Sequence, residues 1–138
     1  MIFGKTFIPR AVLFGSFSII FITTLAVAQT PSPALVITFR GSREVAIIDP
    51  ETTKIVARVP VGHLPHELAV SDDGKFAFAT TNNRGDVNET AEVVPDNDFI
   101  SVVDLVAQKE LRRVQTGIGS FPHGIRFVGG KVYYTAQG

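Results

Sequence analysis

The chain has 138 residues with 13 basic and 13 acidic side chains, so its formal net charge is zero, and 45% of its residues are hydrophobic. It contains no cysteine, which excludes disulfides, redox thiols, thiolate metal sites and a lipid-modified cysteine. No basic block is present, so the composition does not predict nucleic-acid binding.

Residues 1–28 predict a helical signal peptide. Lys5 and Arg10 form a basic start, residues 11–28 are apolar and free of acidic groups, and Ala26-Val27-Ala28 has the small-x-small pattern of a cleavage site. An uncleaved membrane anchor is the alternative, but the serine, threonine and glycine residues in the apolar run disfavour it. We therefore predict cleavage after Ala28, a periplasmic or secreted protein with a net charge of about −2, and a short linker over residues 29–33.

The mature part has the periodicity of β-strands throughout, and no segment has the length and spacing of an amphipathic helix. Tight turns are predicted at Gly41-Ser42, at residues 71–74 and at Gly129-Gly130, and Pro60 indicates a strand near a sheet edge. Strands are predicted over residues 35–39, 45–48, 55–61, 68–70, 76–80, 99–103, 110–114, 125–128 and 132–135.

Two stretches, beginning at Val45 and Ile100, repeat the same order of residues. Four pairs of residues are 55 positions apart: Asp49 and Asp104, Lys54 and Lys109, Arg58 and Arg113, Gly62 and Gly117. His66 and His123 are 57 apart because the second stretch has two more residues before its Pro-His pair. A unit that recurs in this way stacks against copies of itself to bury its apolar face, so the sequence predicts a repeat protein.

The segment IIDPETTKIVARVPVGHLPHELAVSDDGKFAFATT resembles the repeat of YVTN-type β-propeller proteins, and the resemblance covers residues 34–138. It implies an all-β, partial β-propeller of four-stranded antiparallel blades. On that template residues 34–61 form a half blade without its innermost strand, residues 67–115 a full blade with an insertion at 82–98, and residues 124–138 the start of the next blade. A ring needs at least about four blades, or ~160 residues, so the chain is expected to be a fragment or truncated product of a longer protein.

His63, His66 and His123 are the candidates for metal binding or acid-base chemistry. On the propeller template His66 and His123 precede innermost strands, where a ring of histidines could hold a metal. The favoured interpretation is structural: the Pro-His pair shapes the entry to each blade, and the imidazole bonds a nearby backbone carbonyl. No metal or cofactor is therefore predicted.

The insertion at residues 82–98 is rich in acidic side chains, but it lacks the spacing of a calcium-binding loop. A solvated loop is therefore favoured. Because functional diversity on repeat scaffolds is concentrated in such insertions, this loop is also the expected contact surface.

Two classes of function remain open. The first is a non-enzymatic propeller that binds a protein, a glycan or a small ligand across its loop face, with membrane contact only through the signal segment during export. The second is an exported enzyme or redox protein, either lactonase-like or similar to a quinoprotein or metal-dependent dehydrogenase, with active-site residues partly in other blades. No Ser-His-Asp spacing, phosphate-binding loop or paired carboxylates appear, so no catalytic residue is predicted and the first class is favoured.

Overall fold

The computed structural model describes residues 29–81 and 98–138. Within these two ranges the chain is all-β: it forms nine strands in antiparallel sheets and no helix. Accordingly, no helix in this part of the chain is long and apolar enough to cross a membrane. The predicted signal peptide and residues 82–97 of the predicted insertion lie outside the described residues.

The strands form three sheets that follow one another along the chain. The first sheet has the order β1-β2-β3, the second β4-β5-β6-β7, and the third β8-β9. Their bounds are β1 Leu35–Phe39, β2 Glu44–Ile48, β3 Ile55–Pro60, β4 Pro65–Val70, β5 Phe76–Thr81, β6 Phe99–Asp104, β7 Lys109–Gln115, β8 Pro122–Val128 and β9 Lys131–Ala136. Every strand predicted from the sequence is present. Pro60 ends the edge strand β3, as predicted, because an edge position does not require its missing N–H.

The repeated aspartates close equivalent turns after the second strand of the first sheet and the third strand of the second. Asp49 Oδ1 accepts hydrogen bonds from the backbone N–H groups of Glu51 at 2.9 Å and Thr52 at 3.3 Å. Asp104 Oδ1 accepts from the amides two and three residues further on, at 2.9 and 2.8 Å. The hydroxyl of Thr52, followed by the Glu51 amide, lowers the pKa of Asp49 below its ordinary value. The 55-residue repeat is thus a repeat of local hydrogen bonding as well as of sequence.

The hairpin between β4 and β5 forms as predicted. Asp73 Oδ1 accepts from the Ser71 hydroxyl at 2.6 Å and from the Lys75 amide at 3.1 Å, and these bonds lower the pKa of Asp73. Gly74 adopts a φ of +69°, which a side chain would strain. The corresponding turn between β8 and β9 uses Gly129 and Gly130, both at positive φ, in place of the acidic residues.

The central sheet packs against a neighbouring sheet on each of its two faces, and alternate side chains of β5 make these contacts. Ala77 and Ala79 are fully buried and belong to the core shared with the first sheet, whereas Phe78 stacks on Phe127 of β8 with ring centroids 5.5 Å apart. The core between the first two sheets is made of small and β-branched residues: Val45, Ile47, Val59, Val61, Ala77, Ala79, Val103 and Leu105. The three sheets therefore pack face to face in chain order.

Candidate functional site

The strands β4 and β8 both begin with a Pro-His pair, and both contain a bulge at that place. In β4, Pro65 pairs with Thr81 while Leu68 pairs with Ala79, so three steps on β4 match two on β5. The register of β8 shifts in the same way between Pro122 and Ile125. A bulge changes the alternation of side chains and re-aims them, so the residues next to each histidine need not follow the simple strand pattern.

A hydrogen bond between neighbouring sheets recurs at each histidine. Thr38 of β1 donates from its hydroxyl to the backbone carbonyl of His66 at 3.2 Å, and Thr80 of β5 donates to the carbonyl of His123 at 3.0 Å. Thr80 is fully buried and its hydroxyl also accepts from the amide of Glu67 at 3.1 Å. Leaving such buried groups unpaired would cost about 1–3 kcal/mol. The Pro-His pair thus links successive units through the backbone carbonyl of the histidine.

The two links bring His66 and His123 together. Their ring centroids are 4.0 Å apart, with the ring planes tilted by 43°. Glu67 joins them: its Oε1 lies 3.4 Å from Nδ1 of His123. One ligand atom from each of the three residues lies within 4.8 Å of the others. His66, Glu67 and His123 are all half-buried, so the group is held by the fold and still reaches solvent. We call this group the histidine cluster.

Of the three histidines predicted as metal candidates, His63 does not belong to this group. It lies between β3 and β4, three residues before His66. The histidine that meets His66 is His123, from the next repeat.

Glu67 is the member that the sequence interpretation missed. It directly follows His66, and neighbours in a regular strand point to opposite faces, so the pattern favoured no contact with the histidines. The bulge in β4 removes that restriction. The repeat contains a usable signal: Gly124 stands where the second unit would have its equivalent of Glu67. A Cβ built on Gly124 would lie 3.9 Å from Oε2 of Glu67, at ordinary van der Waals distance, so the Glu67 carboxylate packs beside this position.

An open cleft of about 310 Å³ adjoins the cluster. Glu67, Arg126, Tyr133, Tyr134 and Thr135 contribute to its wall. The Arg126 guanidinium donates to the carbonyl of Ile125 at 2.9 Å. Two imidazoles and a carboxylate beside such a cleft can bind a metal ion or exchange protons with a bound molecule.

The fold and the cluster define an all-β protein of stacked, repeat-like antiparallel sheets. No protein-family model and no curated protein matches the chain. Among solved structures, the chain is similar to a chain of Kuenenia stuttgartiensis hydrazine synthase, with 26% sequence identity and a TM-score of 0.61. The match covers 76% of this chain and 26% of that chain, so this chain spans about a quarter of the length of the protein it resembles.

Proposed function

We propose that this chain is part of an exported β-propeller that acts as a non-enzymatic binding scaffold. The observation that carries the proposal is the link between units, in which a threonine of one sheet donates to the carbonyl of the histidine that opens the next. A contact that recurs from unit to unit is what a stack of equivalent blades requires. The resemblance to YVTN-type repeats adds the expectation that each blade has four strands.

Under this proposal the three sheets are successive blades. The four strands β4 to β7 form the complete blade, while β1 to β3 and β8 to β9 are the parts of its two neighbours that fall within the described residues. Further units of the same kind would supply the remaining strands and close the ring. The first strands of the second and third units, β4 and β8, would line the centre of the ring, with the histidine cluster at the end where both strands begin.

The proposed binding face combines the histidine cluster with the insertion at residues 82–98. Thr81, the last residue of β5, pairs with both Pro65 at the start of β4 and Phe99 at the start of β6. The insertion therefore leaves and re-enters the sheet at the same end as His66. Its last residue, Asp98, accepts a hydrogen bond from the Gly119 amide at 2.6 Å, which fixes that end of the loop next to the segment before β8. A protein, glycan or small ligand bound at this face would contact both the histidine cluster and the insertion.

The second candidate function is an exported enzyme or redox protein on the same ring. The observation that favours it is the histidine cluster beside an open cleft, an arrangement with the side chains for acid-base or metal chemistry. The similarity to a synthase chain adds to this candidate, although the match covers 26% of that chain.

Two measurements test the proposal: whether the protein is exported, and whether the purified protein carries a bound redox group. Expressed from its complete gene, the protein is expected outside the cytoplasm with Gln29 as its first residue, because the small-x-small site ends at Ala28. N-terminal sequencing of fractionated cells measures this, and chemical cross-linking of the exported protein identifies what contacts residues 82–98.

The scaffold proposal predicts cross-links to another molecule at the insertion and no visible absorbance from a bound redox group. A purified protein that carries a haem or quinone chromophore would favour the redox candidate instead. An intact segment 1–28 on a membrane-bound protein would contradict cleavage.

A further inference from the structure

We propose that His66, Glu67 and His123 bind one divalent transition-metal ion of the Zn²⁺ type. This inference rests on the proposed function, because it names the class of ligand that the proposed binding face would take. It also reverses the favoured sequence interpretation, in which the histidines had a purely structural role. The reason is geometric: one ligand atom from each of the three side chains lies within 4.8 Å of the others, and Glu67 Oε1 lies 3.4 Å from Nδ1 of His123.

The spacing of the three side chains suits a metal. Zinc bonds to nitrogen and carboxylate oxygen of about 2.0–2.2 Å place the ligand atoms of a tetrahedral site about 3.3–3.6 Å apart. The separation between Glu67 Oε1 and His123 Nδ1 is 3.4 Å, and all three ligand atoms lie within 4.8 Å of one another. The Glu67–His123 separation thus already matches that of two zinc ligands, and the ligand atom of His66 lies within 4.8 Å of both.

The ligand types match a borderline-soft divalent cation. Two neutral imidazoles and one carboxylate carry a net charge of −1, which an ion such as Zn²⁺ compensates, and this His₂Glu set is one that zinc takes in sites with an open position. Mg²⁺ and Ca²⁺ prefer oxygen ligands, so they are not expected to compete. The absence of cysteine in the chain is compatible with this set, which needs no thiolate.

The two repeats contribute different ligands to the site. Each unit contributes one histidine through the same bulge, but only the first contributes a carboxylate, because the equivalent residue of the second unit is Gly124. Glu67 extends over that glycine towards His123. The side chain of Glu67 is 39% exposed and borders the cleft of about 310 Å³, so a water molecule or a ligand from the cleft can take the fourth position.

The test measures Zn²⁺ binding to the protein purified after expression from its complete gene and stripped of metal with a chelator. Titration calorimetry is expected to give one site that Glu67→Gln and His123→Gln each weaken by at least about tenfold. Co²⁺ added in place of Zn²⁺ is expected to give the intense visible absorption of a four-coordinate site, and the same variants should abolish it. Circular dichroism of each variant shows whether it has folded.

The chain offers matched controls for both substitutions. His63→Gln removes the histidine outside the cluster, and Glu51→Gln removes an exposed carboxylate in the β2–β3 turn, so neither should change the affinity. Wild-type protein that binds no Zn²⁺ would overturn the metal site, as would a site that the controls weaken as much as the cluster variants. Neither result bears on export or on the stacking of units, which are tested separately.

Discussion

Replacing Gly62 by alanine is expected to destabilise the protein by about 3 kcal/mol, the upper end of what overpacking a core costs. A Cβ on Gly62 would lie 2.6 Å from Cε2 of the Phe99 ring and 2.6 Å from Cγ2 of Thr81. Phe99 is 2% exposed and Thr81 is fully buried, so neither side chain can move aside without disturbing the core. Denaturant unfolding of the purified variant measures the loss.

The control for this substitution is Gly41→Ala. A Cβ on Gly41, in the turn between β1 and β2, would meet no atom within 4 Å, and its φ is not in the left-handed region. Its effect is expected to stay within about 0.5 kcal/mol. If both alanine variants unfolded at the same denaturant concentration as the wild type, the close approach of Phe99 to the β3–β4 link would be wrong.

Residues 29–138 on their own are expected to be poorly stable and prone to oligomerise. Among the described residues, β1 pairs only with β2 and β9 only with β8, so each presents an unpaired edge. The exposed side chains near these edges are large and apolar: Leu35 is 51% exposed, Val128 61% and Tyr133 57%. The apolar sequence of β1 and of residues 132–135 within β9 is of the kind that pairs between molecules.

Size-exclusion chromatography and thermal unfolding compare this segment with the product of the complete gene. We expect mixed oligomers and a broad, irreversible transition for the segment alone. A monodisperse monomer with a sharp, reversible transition would mean that the segment is a self-sufficient small β domain, and the proposed need for further blades would then be abandoned.

The strands and turns could be predicted from the sequence because their determinants are local. Alternating β-branched residues specify the strands, and Asp49 and Asp104 bond amides only two or three positions away. The sequence repeat also identified equivalent positions, such as Arg58 and Arg113. It did not predict which residue each arginine contacts: Arg58 pairs with Glu44 of the adjacent strand, whereas Arg113 pairs with Glu110, three residues before it.

The candidate site could be predicted only in part because it depends on contacts between units. His66 and His123 were identified as equivalent, but their separation depends on how one sheet packs on the next, which no local pattern encodes. The strands β4 and β8 begin at Pro65 and Pro122, earlier than the patterns at residues 68–70 and 125–128 indicated, since proline is tolerated at the first position of a strand. The bulges lie in these first residues of β4 and β8. Because the sequence patterns did not include them, they could not place Glu67 in the cluster.

Cross-linking between cysteines at positions 66 and 123 tests the stacking of the units most directly. These 138 residues contain no cysteine, so the double variant His66→Cys with His123→Cys has a single pair of thiols within them. The ring centroids of these two histidines lie 4.0 Å apart, so we expect efficient intramolecular cross-linking of the two thiols by a short bifunctional reagent. The control combines His66→Cys with Val128→Cys, five residues further along β8 and therefore about 16 Å from position 123. Efficient intramolecular cross-linking of the first pair alone is the expected result, and folded protein in which the first pair cross-links no faster than the second would contradict the stacking of the repeats.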